Sequence, residues 1–209
     1  MIYEYDFYYE EKKDKPWLVF ILISILTFVF MISLIYPKIA LEYFTLNPIY
    51  IFEKPYLLVT PIFGSANFNH YLLNSISLFF LGYVFEYRYG WKKFLILFLL
   101  SGIVGNIFFI IQYFGNPFVF GTGASGAISG ILGALAVLSP REKIIMFPII
   151  IPIDIKYAAL LWFLFNFVGM LFPFLPIGFS AHLGGLIAGF IIGHILKKKE
   201  KVRYIEIEF

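Results

Sequence analysis

The 209-residue sequence contains no cysteine, and only 14% of its residues are charged. Without thiols, disulfides, iron–sulfur clusters and cysteine nucleophiles are excluded, and the redox compartment stays open. A soluble domain carries about 25% charged residues, so the shortage of charge is the more telling absence. Histidine is scarce as well, at His70, His182 and His194. A zinc site takes three or four convergent ligands. Only His70 and His182 fall at one level of the layout derived below, so no metal is expected. No polar stretch is long enough for a soluble domain of useful size, and no internal repeat of the kind found in inverted-repeat transporters is visible. The apolar segments hold almost no charge along a path, which argues against a transporter or channel.

What is present is apolar. The sequence is 61% hydrophobic, with 27 Phe and 15 Tyr, and its mean hydropathy is +0.87. One buried core cannot absorb that much apolar surface, so a bilayer must act as the solvent. The fold class this implies is an all-α membrane protein with six transmembrane helices. The expected spans are about 17–36, 70–87, 94–114, 124–138, 155–172 and 181–196. The first is about the length of a ~20-residue crossing and lacks a following small-residue cleavage site, so it reads as a retained helix. Residues 37–69 are apolar but broken by Pro48, Pro55, Pro61 and Gly64, and are expected to lie in the interface as short helices and turns. Ile144–Pro152, interrupted by Pro148 and Pro152, reads as an interfacial entry segment. The domains are then an N-terminal segment 1–16, a membrane domain 17–196 and a basic tail 197–209.

Charge placement tests this layout. Lys12, Lys13 and Lys15, Arg88, Lys92 and Lys93, Arg141, Lys143 and Lys156, and Lys197, Lys198, Lys199, Lys201 and Arg203 all fall on one side. Only Lys38 and Lys54 fall on the other. Basic residues favour the cytoplasmic face, so six spans of a cell-membrane protein with both termini inside fit the count. The Lys197–Arg203 run is expected to anchor to anionic lipid, at about 1 kcal/mol per charge near the surface. Glu86, at the cytoplasmic end of the second span, is expected to cap there or to pair with Arg88.

Polar residues inside spans are costly and mark function or pairing. His70 and Asn74 open the second span, Ser125 and Ser129 the fourth, and His182 the sixth. Even-numbered spans all start at the outer face, so these residues share one depth. Gly126, Gly130 and Ala134 form a ridge at i+4 steps, as do Gly185, Gly189 and Gly193, and such ridges let helices approach closely in lipid. Packing the two ridges would bring Ser125 near His182. A Ser hydroxyl needs an adjacent base to become a nucleophile, and His is the commonest one. No carboxylate lies at that level, so the arrangement would be a Ser–His dyad. Ser125 opens a helix, where free N–H groups favour a developing oxyanion. His70 and Asn74 could add donors.

Gly123-Ala124-Ser125-Gly126 resembles the Gly-x-Ser-Gly motif of rhomboid intramembrane proteases. Ala181-His182-Leu183-Gly184-Gly185-Leu186-Ile187-Ala188-Gly189 resembles their sixth-helix signature, and His70-x-x-x-Asn74 their second-helix motif. The three occur in order on matching spans, and the resemblance covers roughly residues 17–196. It implies a serine-type endopeptidase with Ser125 as nucleophile and His182 as base. It further implies an oxyanion hole of His70, Asn74 and the Ser125 N–H, and a water-filled cavity open to the outer face. The implied partners are transmembrane protein substrates and membrane lipids, with no nucleic acid, metal or cofactor. Two departures stand out. Tyr56-Leu57 occupies the place where the family often has Trp-Arg in the first loop. Ser129 stands four after Ser125, where the family usually has an aromatic residue packed on the histidine; either its hydroxyl orients His182 by a hydrogen bond instead, or the imidazole is held less firmly. The plain structural readings are packing for Ser125 and Ser129, an interhelical donor for His182, an interface residue for His70 and helix–helix glue for Asn74. His194 lies twelve residues past His182, toward the opposite end, and reads as structural. The functional alternative is an inactive rhomboid-like protein that binds membrane helices without cutting them.

Overall fold

The computed structural model describes residues 15–146, 149–172 and 177–207. It is mostly helical. In chain order the helices are α1 (Leu18–Ile35), α2 (Pro37–Tyr43), α3 (Phe68–Ser77), α4 (Tyr83–Tyr89), α5 (Trp91–Gln112), α6 (Ser125–Leu138), α7 (Ile155–Leu171) and α8 (Phe179–Ile207). Helix α3 passes into α4 through a π-helical turn at Leu78–Gly82. Short 3₁₀ turns occupy Pro48–Tyr50, Pro55–Leu58 and Thr60–Phe63, each opened by a proline at its first or second position. The broken segment 37–69 therefore takes the short-helix form its prolines dictate.

Among the described residues, three stretches are long and apolar enough to cross a membrane: Leu18–Ile35, Trp91–Gln112 and Phe179–Lys198. Ser125–Leu138 and Ile155–Leu171 are apolar but shorter. Large side chains such as Phe28, Phe80, Ile96, Leu160 and Ile191 are exposed around the outside. An outer surface of this kind suits acyl chains, not water, and the chain is a multi-pass integral membrane protein.

Helix α6 is the axis of the bundle. Twelve of its fourteen residues are buried, and small side chains alternating with Ile and Leu let α5, α7 and α8 pack around it. The closest contact is with α8. A Cβ placed on Gly185 would collide with the carbonyl oxygen of Gly126, and one on Gly189 with that of Gly130. Only glycine permits backbones at this separation. On the other side, Leu22, Leu26, Leu78, Phe85, Phe94 and Phe98 join Ile131 and Leu135 in the main core.

Polar contacts sort the loops to two ends. At one end Glu86, almost fully buried, accepts hydrogen bonds from the backbone N–H groups of Trp17, Leu18 and Val19 at 3.0, 2.8 and 2.8 Å. It thus caps the first turn of α1, not the end of its own helix. Arg88 bonds instead to Ser139 Oγ at 3.0 Å and Glu142 at 2.8 Å. Trp17 packs on Trp91 at the same end, and Lys197 reaches the Val137 carbonyl there. At the opposite end, segment 37–69 holds the loop before α6. Leu46 and Gly121 exchange N–H···O bonds of 2.7 and 2.9 Å, Gly123 N–H donates to Pro61 O at 2.8 Å, and Thr122 Oγ1 donates to Phe44 O at 2.7 Å. Irregular backbone at membrane depth is tolerated only when protein satisfies it in this way. Helix α6 is only about 21 Å long at 1.5 Å per residue, short of a ~30 Å hydrocarbon layer.

One expectation changes. Residues 143–146 and 149–154 pair as antiparallel strands, β1 (Lys143–Met146) with β2 (Ile149–Asp154), so the chain is not purely α. The Ile-rich run favours extended backbone, and Pro152 is tolerated because a two-stranded ribbon has only edges. Helix α8 runs on without a break past residue 196 to Ile207. Lys12 and Lys13, and Pro148, Pro173, Leu175 and Pro176, lie outside the described residues.

Candidate active site

Ser125 is the first residue of α6, and the turn before it is made by Gly123, whose φ of +126° disfavours any side chain. The first residues of α6 have no carbonyl one turn back within the helix, so their N–H groups face the loop as free donors. Ser125 is half-buried, whereas His182, in the first turn of α8, is buried. The glycine contact between α6 and α8 brings them together, and Ser125 Oγ lies 2.7 Å from His182 Nε2.

His182 has a second partner. Its Nδ1 lies 2.7 Å from Asn166 Oδ1, on α7. Asn166 is fully buried, and its Nδ2 donates to the Trp162 carbonyl at 2.7 Å. Trp162 stacks on the imidazole, with centroids 5.3 Å apart and planes 28° from parallel. Its indole N–H donates to Ser129 Oγ at 2.9 Å, while the Ser129 hydroxyl donates to the Ser125 carbonyl at 2.8 Å. This corrects the expectation for Ser129. Its hydroxyl is engaged with Trp162 and its own helix, and it is Asn166 that bonds the imidazole. The aromatic ring that is absent four residues after Ser125 comes from a neighbouring helix instead.

His70 and Asn74 sit one turn apart on α3. Asn67 caps this helix by accepting from the His70 N–H at 2.9 Å. His70 Nδ1 accepts from the Ala66 N–H at 3.2 Å, so a neutral ring carries its proton on Nε2. Asn74 Nδ2 donates to the His70 carbonyl at 2.9 Å, which leaves its second N–H free. Both side chains lie against the turn before Ser125. A Cβ on Gly123 would stand 2.8 Å from His70 Nε2 and 3.4 Å from Asn74 Nδ2. Gly123 thus gives the two donors access to the backbone beside Ser125. His194 bonds the Phe190 carbonyl one turn back on its own helix, far from this cluster. No group of three or more His, Cys, Asp or Glu able to hold a metal exists among the described residues.

Asn166 and Trp162 escaped the sequence reading. A signal was available, since Asn166 is the one strongly polar side chain in the apolar run Ala158–Phe172, and an amide at membrane depth needs a partner.

A family model described as "Rhomboid domain" matches residues 53–199. The chain is 34% identical over 152 residues to YdcA of Bacillus subtilis (strain 168), covering 70% of each protein. It is 36% identical over 135 residues to the rhomboid protease GluP of the same organism, covering 64% of this chain and 24% of GluP. Rhomboid-like protease 3 of Toxoplasma gondii is 34% identical over 139 residues, covering 63% of this chain and 48% of that protein. The chain therefore spans about half or less of the length of two of these relatives.

Proposed function

We propose, from the premise that this chain belongs to the rhomboid family, that it is an intramembrane serine endopeptidase hydrolysing peptide bonds of transmembrane substrates. The observation that carries the reading is the 2.7 Å approach of Ser125 Oγ to His182 Nε2. That is the distance at which a base takes a nucleophile's proton.

In this mechanism Ser125 Oγ attacks the scissile carbonyl carbon as its proton passes to His182 Nε2. The oxyanion that forms accepts hydrogen bonds from the Ser125 N–H, His70 Nε2–H and the free Asn74 Nδ2–H. Donors fixed before the reaction stabilise this charge without reorganising. Collapse breaks the C–N bond, and His182 returns the proton to the leaving amine. Water then attacks the acyl ester, with His182 again as base, and releases the acid product. No metal or cofactor takes part.

The charge count supports six crossings, formed by α1, the α3–α4 rod, α5, α6, α7 and α8, with both termini cytoplasmic. The residues with Glu86, Arg88 and Lys197 then lie inside, and Ser125 lies toward the outer leaflet. A substrate helix must unwind there for its carbonyl to be reached, so cleavage falls near the outer boundary of the membrane. A helix-binding protein without catalysis has no need for a hydroxyl held on an imidazole.

The test is cleavage of a single-span model substrate by purified protein in detergent or nanodiscs, together with labelling by a fluorophosphonate. Wild type is expected to cut and to label at Ser125. A folded protein that does neither refutes the assignment.

A further inference from the structure

We infer that Asn166 of α7 is a positioning residue that sets the tautomer and orientation of His182. The inference rests on the roles assigned to Ser125 and His182 above. The amide is fixed from behind. The Trp162 carbonyl can only accept, so the group 2.7 Å from it is Asn166 Nδ2, and Oδ1 must face the imidazole. An amide oxygen also only accepts, so His182 Nδ1 carries the ring proton. Nε2 is then left with a lone pair, 2.7 Å from the Ser125 hydroxyl. Which nitrogen of a histidine is free to act is set by the bond its other nitrogen makes. The opposite tautomer would set Oδ1 against a bare Nδ1, and Nε2–H against the hydroxyl it must deprotonate.

Helix α7 supplies the remaining restraint. Trp162 covers one face of the imidazole, and its indole is itself fixed by Ser129 Oγ. Both contacts come from one turn of α7, since Trp162 and Asn166 are four residues apart. Burial matters here. With Asn166 wholly enclosed and His182 nearly so, water cannot take the amide's place on Nδ1.

The experiment uses the full chain in nanodiscs with ¹⁵N-labelled histidine. Three histidines are present, and loss of one signal in His182→Gln assigns the relevant ring. Wild type is expected to show a proton on Nδ1 of His182. Asn166→Leu keeps the volume but removes the acceptor. It should erase that preference and lower kcat about 10–100-fold, by analogy with a metal-bound histidine that loses the partner on its other nitrogen, with KM within about twofold. Asn166→Asp keeps an oxygen acceptor and should recover most of the loss. A proton on Nε2 in wild type overturns the inference, as does a folded Asn166→Leu with wild-type kcat, or equal impairment of the Leu and Asp variants. If Asn166→Leu does not fold, the wild-type tautomer and the Asp variant decide. Failure of wild type to label with a fluorophosphonate would refute the protease reading instead, and the tautomer result stands apart from it.

Discussion

Replacing Gly185 by alanine probes the link between helix packing and chemistry most directly. The added methyl would overlap the carbonyl oxygen of Gly126 and lie 2.7 Å from its carbonyl carbon. Both are backbone atoms of a buried helix, so no rotamer change relieves the clash. Restoring ordinary contact requires α8 to retreat from α6 by about 1 Å, and interiors packed to crystal density do not absorb such a shift freely. Overpacking of this kind costs typically 1–3 kcal/mol, so the protein should still fold. Gly185 lies one turn from His182, and Gly126 adjoins Ser125. The retreat therefore opens the 2.7 Å bond between Oγ and Nε2. A misplacement of about 1 Å can cost about 10²-fold in rate, so Gly185→Ala should lower kcat by about that factor while near-normal helicity and monodispersity persist. Gly193→Ala is the control. Its nearest contacts are 3.0 Å away, and it lies three turns from the histidine, so its kcat should fall by less than about tenfold. The assay is cleavage of a fluorogenic single-span substrate in nanodiscs, with thermal unfolding in parallel. Equal activity of the Gly185 and Gly193 variants would refute the claim that the glycine contact sets the Ser125–His182 distance.

Further outcomes follow from the same geometry. Ser125→Ala and His182→Ala should each abolish cleavage of the model substrate, by up to about 10⁶-fold if they act as a unit, while the protein still inserts and folds. Chelators should change nothing in the same assay. His70→Ala or Asn74→Ala should each lower kcat about 10²–10³-fold if the side chain donates to the oxyanion, and full kcat in both folded variants would make them packing residues. Glu86→Ala leaves the N–H groups of Trp17, Leu18 and Val19, at the start of α1, without their Glu86 acceptor and should cost about 2–4 kcal/mol of stability, read as a lower unfolding midpoint with kcat nearly unchanged. Mass spectrometry of fragments from a substrate of known orientation should place the cuts near its outer boundary, and cuts at the cytoplasmic boundary would contradict the topology.

The sequence made some of this structure legible because membrane helices announce themselves. A run such as Leu18–Ile35 has a single stable form in lipid, so its bounds follow from composition. The α6–α8 contact was legible for a related reason. Glycine at i+4 steps has few uses other than close approach, and the residues beside the ridges, Ser125 and His182, are brought into contact by it. The pairing of β1 with β2 was not legible. Their apolar residues carry no period that separates an interfacial helix from a ribbon, and prolines are compatible with either. Glu86 misled for a different reason. Its partners are the backbone amides of Trp17, Leu18 and Val19, and a backbone donor leaves no mark in a sequence.

Ser129 shows the same limit inside the site. Judged along α6 alone, a hydroxyl in place of an aromatic ring is a loss, because that helix offers the imidazole no stacking partner. In three dimensions the small side chain leaves room for Trp162 to reach in from α7, and its hydroxyl fixes the indole that does so. The requirement is that an aromatic surface cover His182, and it constrains a position in space. Two helices can meet it, and which one does depends on a packing that no single helix records. Asn166 belongs to the same turn of α7. Its polarity was visible as an anomaly in an apolar run, but its partner, sixteen residues away on α8, lies beyond any helical period.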